Sequence, residues 1–303
     1  MENAVTLFRQ ILIMFVYMGC GCLLYKKNLI TREGSASVAN LLIFLILPCV
    51  IFHSFETDRT PEKIASLFWS FLLGTLILLL AVVLAAIIYR RSPVDNFGAA
   101  FSNAGFMGIP LITAMLGAQA VFYVAGMTAM LNILQWFYGQ SLLSGKKSPF
   151  SLTRILKSPL VLSLLLGIVF FLADLRLPSL LSSCVSALAS MNAPVAMVVL
   201  GVYLAQADWG AMVRRRSAYG VSAVRLLLIP LCTLAFMFLF PWVGREIKMA
   251  LLVAACAPVG SNVAVYAQRM GQDYVYAGEI VCLSTIFSLI TMPAVVFLAE
   301  KLL

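Results

Sequence analysis

The chain has 303 residues, of which 62% are hydrophobic and 11% charged, and a mean hydropathy of +1.02; this excludes an ordinary soluble domain. The formal net charge is +9, but the basic residues cluster between apolar runs, so they mark membrane topology and not a nucleic-acid surface. A membrane span needs roughly 20 apolar residues. By that rule the sequence predicts an all-α integral membrane protein of ten spans, at about 5–25, 34–55, 64–89, 96–116, 119–143, 156–174, 179–205, 217–241, 246–267 and 274–299.

The first apolar run is long, lacks a basic start and ends in Lys26-Lys27, so it is expected to be a span and not a removable signal peptide. The second carries Pro48. Between Phe97 and Gly145 there is no Lys, Arg, Asp or Glu, and the turn Leu116-Gly117-Ala118-Gln119 divides this uncharged stretch into spans four and five. Span four contains the polar, glycine-rich segment Ser102-Asn103-Ala104-Gly105-Phe106-Met107-Gly108-Ile109-Pro110. A short basic linker, 144–155, follows, and it separates a first repeat (1–143) from a second (156–303). Span seven carries Asn192 and Pro194, span eight Arg225 and Pro230, span nine Ala257-Pro258-Val259-Gly260-Ser261-Asn262, and span ten Glu279.

Thirteen basic residues lie between alternate spans (Lys26, Lys27 and Arg32; Arg90 and Arg91; Lys146, Lys147, Arg154 and Lys157; Arg214 to Arg216; Arg269). The opposite side has seven: Arg9, Arg59, Lys63, Arg176, Arg245, Lys248 and Lys301. The positive-inside rule then puts the linker in the cytoplasm and both termini outside. Five spans per half require the second half to enter the membrane in the opposite sense. Pro48 and Pro194 are offset by 146 residues, Pro110 and Pro258 by 148, and Gly117 and Gly271 by 154, as an inverted repeat predicts. Proline in a helix removes a donor and clashes with the preceding turn. Spans four and nine are therefore expected to be broken, and to cross, at Pro110 and Pro258. Backbone freed at membrane depth is tolerated only in protein or beside a wet cavity, and paired interrupted spans mark a midplane site. Two half-helix N-termini meeting there suit a carboxylate.

The candidate binding residues are Asn103, Gly105, Pro110, Asn192, Pro194, Pro258, Ser261 and Asn262. The Asn103 amide can donate to a carboxylate or join two helices by a hydrogen bond. Ser261 and Asn262 can touch a ligand or cap the helix after Pro258, and Asn192 is open to both readings. Asn40 and Asn132 read as packing polar groups, and Gln135 and Tyr138 extend the face of Asn132. Arg9 and His53 sit near the outer surface and can snorkel. Arg225 and Glu279 lie deeper, and a charge pair between them is the economical expectation. In its functional version Arg225 attracts an anion and Glu279 accepts a proton; the alternative is two independent snorkelling side chains. The seven cysteines show no metal or disulfide spacing and read as small buried apolar residues, and no cofactor is called for.

Three segments carry a family resemblance: Asn103-Ala104-Gly105-Phe106-Met107-Gly108-Ile109-Pro110-Leu111; Arg225-Leu226-Leu227-Leu228-Ile229-Pro230; and Pro258-Val259-Gly260-Ser261-Asn262-Val263 with the following Ala267 to Asp273 turn and Ser284-Thr285. The chain resembles the auxin efflux carrier family of the bile acid symporter-like superfamily, in its bacterial form because the central loop is short. The resemblance implies a five-plus-five inverted repeat and secondary transport of small organic anions, dicarboxylates such as malate or malonate, or auxin-like acids. It also implies elevator-like motion of spans 3–5 and 8–10 against a dimeric scaffold of spans 1, 2, 6 and 7, in a bacterial inner membrane, with proton-coupled or uncoupled movement favoured over sodium coupling. The other readings are a receptor that binds an organic anion without flux and a sodium-coupled symporter. An intramembrane enzyme is not expected, since the single His and the absence of an Asp deep in any span leave no catalytic set. A channel lacks its charge rings or filter repeats.

Overall fold

A computed structural model describes residues 2–145 and 152–303. Most of the basic linker, 146–151, lies outside the described residues. Among the described residues the only regular secondary structure is helical, with one isolated antiparallel bridge between Ser102 and Val259. In chain order the principal helices are α1 (Glu2–Lys26), α2 (Glu33–Ser54), α3 (Pro61–Ile88), α4 (Pro93–Ala100), α5 (Ala104–Leu116) and α6 (Ala118–Ser144). They continue as α7 (Pro159–Leu172), α8 (Ser179–Gln206), α9 (Arg216–Met237), α10 (Arg245–Cys256), α11 (Asn262–Arg269) and α12 (Tyr274–Leu302).

Seven of these helices are long and apolar enough to cross a bilayer: α1, α2, α3, α6, α8, α9 and α12. The other three expected spans are built from shorter pieces. Span four is α4 followed by α5, span six is the 14-residue α7, and span nine is α10 followed by α11. Many large apolar side chains on the long helices are exposed, among them Phe8, Leu12 and Val16 of α1 and Val83 and Ile87 of α3. Hydrocarbon around such a belt has no hydrogen bonds to lose, so the surface needs no polar cover.

Prolines are accommodated differently from expectation. Pro48, Pro110 and Pro230 each stand two residues after a single widened turn, 42–46, 104–108 and 224–228. In each case the N–H just before the proline donates five residues back: Leu47 to Leu42, Ile109 to Ala104 and Ile229 to Val224. A π turn of this kind makes room for the ring and keeps the helix going. The expected break at Pro110 is therefore corrected. Pro110 is buried inside α5, and the helix is interrupted at 101–103.

The tightest helix crossing joins α1 to α8. An added Cβ at Gly21 would lie 2.2 Å from the Val198 carbonyl oxygen, and one at Gly201 would lie 2.1 Å from that of Met18. Backbones approach this closely only over small residues, and the Cys22 thiol donates to the Gly201 carbonyl across the same contact at 3.0 Å. At one end of the bundle Trp69 packs edge-on to Trp242, which in turn meets Phe240, as aromatic rings do at an interface.

Candidate functional site: the paired helix breaks

The site begins with two interrupted helices that complete each other. After Ala100 the backbone turns extended at Phe101 and re-enters helix at Ala104; after Cys256 it is extended at Ala257 and resumes at Asn262. The two gaps run antiparallel. Asn103 N–H donates to the Pro258 carbonyl at 2.7 Å, and Gly260 N–H donates to the Phe101 carbonyl at 2.9 Å. Val259 N–H donates to the Ser284 hydroxyl of α12 at 3.1 Å. Backbone groups that would otherwise be orphaned inside an apolar protein thus find partners. Gly260 lets the two extended segments approach closely, because an added Cβ would press on the Ser102 oxygen at 3.2 Å and the Phe101 oxygen at 3.3 Å.

A cleft of about 480 Å³, its mouth included, opens beside this pairing. Ser102, Asn103 and Gly105 line it from one break, and Gly260, Ser261 and Asn262 from the other. Thr128, Asn132 and Gln135 of α6 close one side, while Ile43, Leu47 and Leu160 supply an apolar wall. The Ser102 hydroxyl and the Asn103 amide nitrogen are buried there without a hydrogen-bond partner. Such groups are costly to leave unpaired.

The remaining candidates fall as follows. Asn192, 3% exposed, donates from Nδ2 to the Gly105 carbonyl at 3.5 Å, and its Oδ1 has no partner. Asn262 Nδ2 donates to Gln135 Oε1 at 3.0 Å, which locks the start of α11 to α6. Asn132 donates to the Thr128 carbonyl and Tyr138 to Asn96 Oδ1. Pro110, Pro194 and Pro258 are not among the residues lining the cleft, although the Pro258 carbonyl holds the crossover. Asn40 and Arg9 are exposed, and His53 Nδ1 lies 2.6 Å from Glu56 Oε2.

The expected Arg225–Glu279 pair is not formed. Arg225, 1% exposed, donates to the carbonyls of Ala99 at 3.0 Å and Ala100 at 3.2 Å, and also to that of Ala255. These carbonyls end α4 and α10, where helix termini are electronegative and short of donors, so the guanidinium is drawn to them. Glu279 is met by Arg215 instead, with Nε 3.2 Å from Oε2. The same Arg215 lies 3.2 Å from Asp273 and 5.1 Å from the centre of the Tyr276 ring. Tyr276 in turn donates to Asp95 at 2.7 Å. Asp95 is 8% exposed, so Glu279 is not alone as an acidic group in the core. A larger cleft, about 1450 Å³ with its mouth, runs past Glu279, Arg269 and Gln268 and shares Ser261 with the crossover cleft.

Sequence reasoning passed over Ser102 and Thr128 as ligand groups and read Arg215 as a topology charge. Ser102 stands next to Asn103 in the quoted segment, which was the available signal. Nothing local marks Arg215 as the partner of Glu279, since 64 residues separate them.

The family model described as membrane transport protein matches residues 6–296. The chain belongs to that family, the auxin efflux carriers. It is a multi-pass membrane protein and a membrane transport protein by descent. A bacterial relative in Rhizobium meliloti (strain 1021), named "Putative malonate transporter", is 24% identical over 291 residues, covering 90% of each chain.

Proposed function

We propose that the protein is a secondary carrier for small organic anions, carboxylates of the size of malonate, malate or auxin-like acids, in a bacterial inner membrane. The observation that carries this reading is the pairing of two helix breaks beside a cleft that holds unpartnered donors, Ser102 Oγ and Asn103 Nδ2. Both helix N-termini at the breaks, those of α5 and α11, border that cleft, and such ends favour a carboxylate. The name of the Rhizobium meliloti relative, "Putative malonate transporter", supports the substrate class.

In this reading α4–α5, α7 and α10–α11 cross the membrane with the seven long helices, giving ten spans in a five-plus-five inverted repeat. Both termini face outward. Movement is elevator-like, with spans 3–5 and 8–10 carrying the site past a dimeric scaffold of spans 1, 2, 6 and 7. The cleft supports this division. Its polar wall comes from spans 4, 5 and 9, whereas Ile43, Leu47 and Leu160 belong to spans 2 and 6. Several internal ties also respect it: Arg225 and the Arg215 cluster join spans 4, 8, 9 and 10 to each other, and the glycine crossing joins spans 1 and 7, while the 3.5 Å hydrogen bond from Asn192 to the Gly105 carbonyl spans the boundary. The Glu279–Arg215 pair, facing the larger cleft, is placed to gate entry or to couple a proton. Sodium has only neutral oxygens at the crossover to bind.

Uptake of labelled malonate and malate into proteoliposomes under imposed pH and sodium gradients tests the reading. Saturable flux is expected, with Asn103→Ala reducing it roughly tenfold or more, the loss of one buried charge-assisted hydrogen bond. Binding without flux would turn the assignment to a receptor.

A further inference from the structure

The charges around the crossover divide unequally between its two faces. None of the residues lining the cleft has an ionisable side chain, so the field within it comes from backbone ends and from charges behind them. Four helix ends meet at the two breaks. The C-termini of α4 and α10 each carry the equivalent of about −0.5 charge, and the N-termini of α5 and α11 about +0.5 each. Arg225 is fully buried and bonds the Ala99, Ala100 and Ala255 carbonyls, so its single positive charge sits on the two C-termini and offsets both. The N-termini are left uncompensated. Together they amount to roughly one positive charge, and they face the cleft through Ser102, Asn103, Gly105, Ser261 and Asn262.

The unpartnered side-chain atoms add a second constraint. Ser102 and Asn103 line the cleft and offer donors, and the unpartnered Ser102 hydroxyl oxygen is also an acceptor; Asn192 is not among the lining residues. A fully ionised dicarboxylate has no O–H for the Ser102 acceptor and brings one more negative charge than the site offsets. A singly protonated one has a carboxylate for the donors and a carboxyl O–H for the acceptor.

We propose that the crossover site is balanced for a ligand with one net negative charge, so that a dicarboxylate enters as its singly protonated form, and that Arg225 sets this balance without touching the ligand. The inference rests on the carrier reading above. The ligand then brings its own proton, and flux responds to pH without a titrating group in the cleft. Arg225 is a positioning residue in this scheme.

Competition in wild-type proteoliposomes tests it, with malonate and its monomethyl ester measured across the second ionisation of malonic acid. Above that ionisation the KM for total malonate should rise about tenfold per pH unit, as the singly protonated fraction falls. Monomethyl malonate, permanently singly charged, should inhibit equally throughout. A malonate KM that stays flat overturns the inference and leaves the carrier reading standing. An ester whose inhibition weakens in step with malonate also overturns it, because the titrating group then belongs to the protein. Absence of flux and binding for every carboxylate removes the carrier reading, and this inference with it. Arg225→Gln should weaken inhibition by the charged ester roughly tenfold relative to neutral dimethyl malonate, while Arg225→Lys keeps the preference. Equal losses for charged and neutral probes in both variants would make Arg225 a structural residue only. Should Arg225→Gln fail to fold, the wild-type pH series and Arg225→Lys still decide the matter.

Discussion

Asp273 shows how one side chain sets both a helix start and a charge cluster. It caps α12 by accepting from Tyr276 N–H at 2.9 Å and lies 3.2 Å from Arg215. The Tyr276 amide first, and then Arg215, hold its carboxyl below the usual carboxylate range. Because the folded form has the depressed pKa, its stabilisation is complete above the unfolded pKa, about 4, and is lost as pH falls through the lower folded value. Thermal unfolding in detergent should therefore lose part of its acid sensitivity in Asp273→Asn. Asp273→Ala should cost about 0.5–2 kcal/mol at neutral pH. Arg215→Ala leaves the Glu279 carboxylate, 1% exposed, without its cation. A loss of about 1–3 kcal/mol is expected, and Glu279→Gln added to that variant should restore part of it. A double variant no more stable than Arg215→Ala would show that the pair contributes nothing.

At the scale of elements, glycine and proline act in opposite ways from one crossing to the next. The α1–α8 contact leaves no space at Gly21 or Gly201, since each added Cβ would meet carbonyl backbone and not a flexible side chain. Gly201→Ala should lower the thermal midpoint by an amount equivalent to about 1–3 kcal/mol. Gly19, next to Met18 on the same helix but with nothing within 4 Å of its Cβ position, is the control. Prolines, by contrast, do not break the helices they enter. A π turn precedes Pro48, Pro110 and Pro230 alike, and the true interruptions lie where extended residues pair between two helices. The sequence pattern of span four was therefore legible as unusual, but its break was misplaced by about two turns. Proline fixes a missing donor locally, while the position of a gap depends on where another gap can satisfy the freed amides and carbonyls.

For the whole molecule, the proposed topology has a direct test. In a background with the seven native cysteines replaced, a cysteine at Lys301 should react with a membrane-impermeant maleimide added to intact cells, and one at Lys157 only in inverted vesicles. The reverse pattern would invert the protein and exchange the proposed roles of its two faces. Gathering Arg215, Asp273, Glu279 and Asp95 at one end of the bundle, with Trp69 and Trp242 at another contact remote in sequence, depends on every helix taking its place.

By itself the sequence determined a multi-pass helical membrane protein, the family, and the two segments that meet at the site. Apolar run length, basic clusters and glycine-rich polar stretches are local quantities, and the bilayer reads them locally. Tertiary structure alone decided which charges are partners. Arg225 and Glu279 share a depth along their spans, which made a pair economical, but depth says nothing about which way each helix is turned. In the folded protein Arg225 faces the carbonyl ends of α4 and α10, and Glu279 faces Arg215. A buried charge goes to the strongest opposite field within reach, and those fields come from helix ends that exist only once the two breaks have paired.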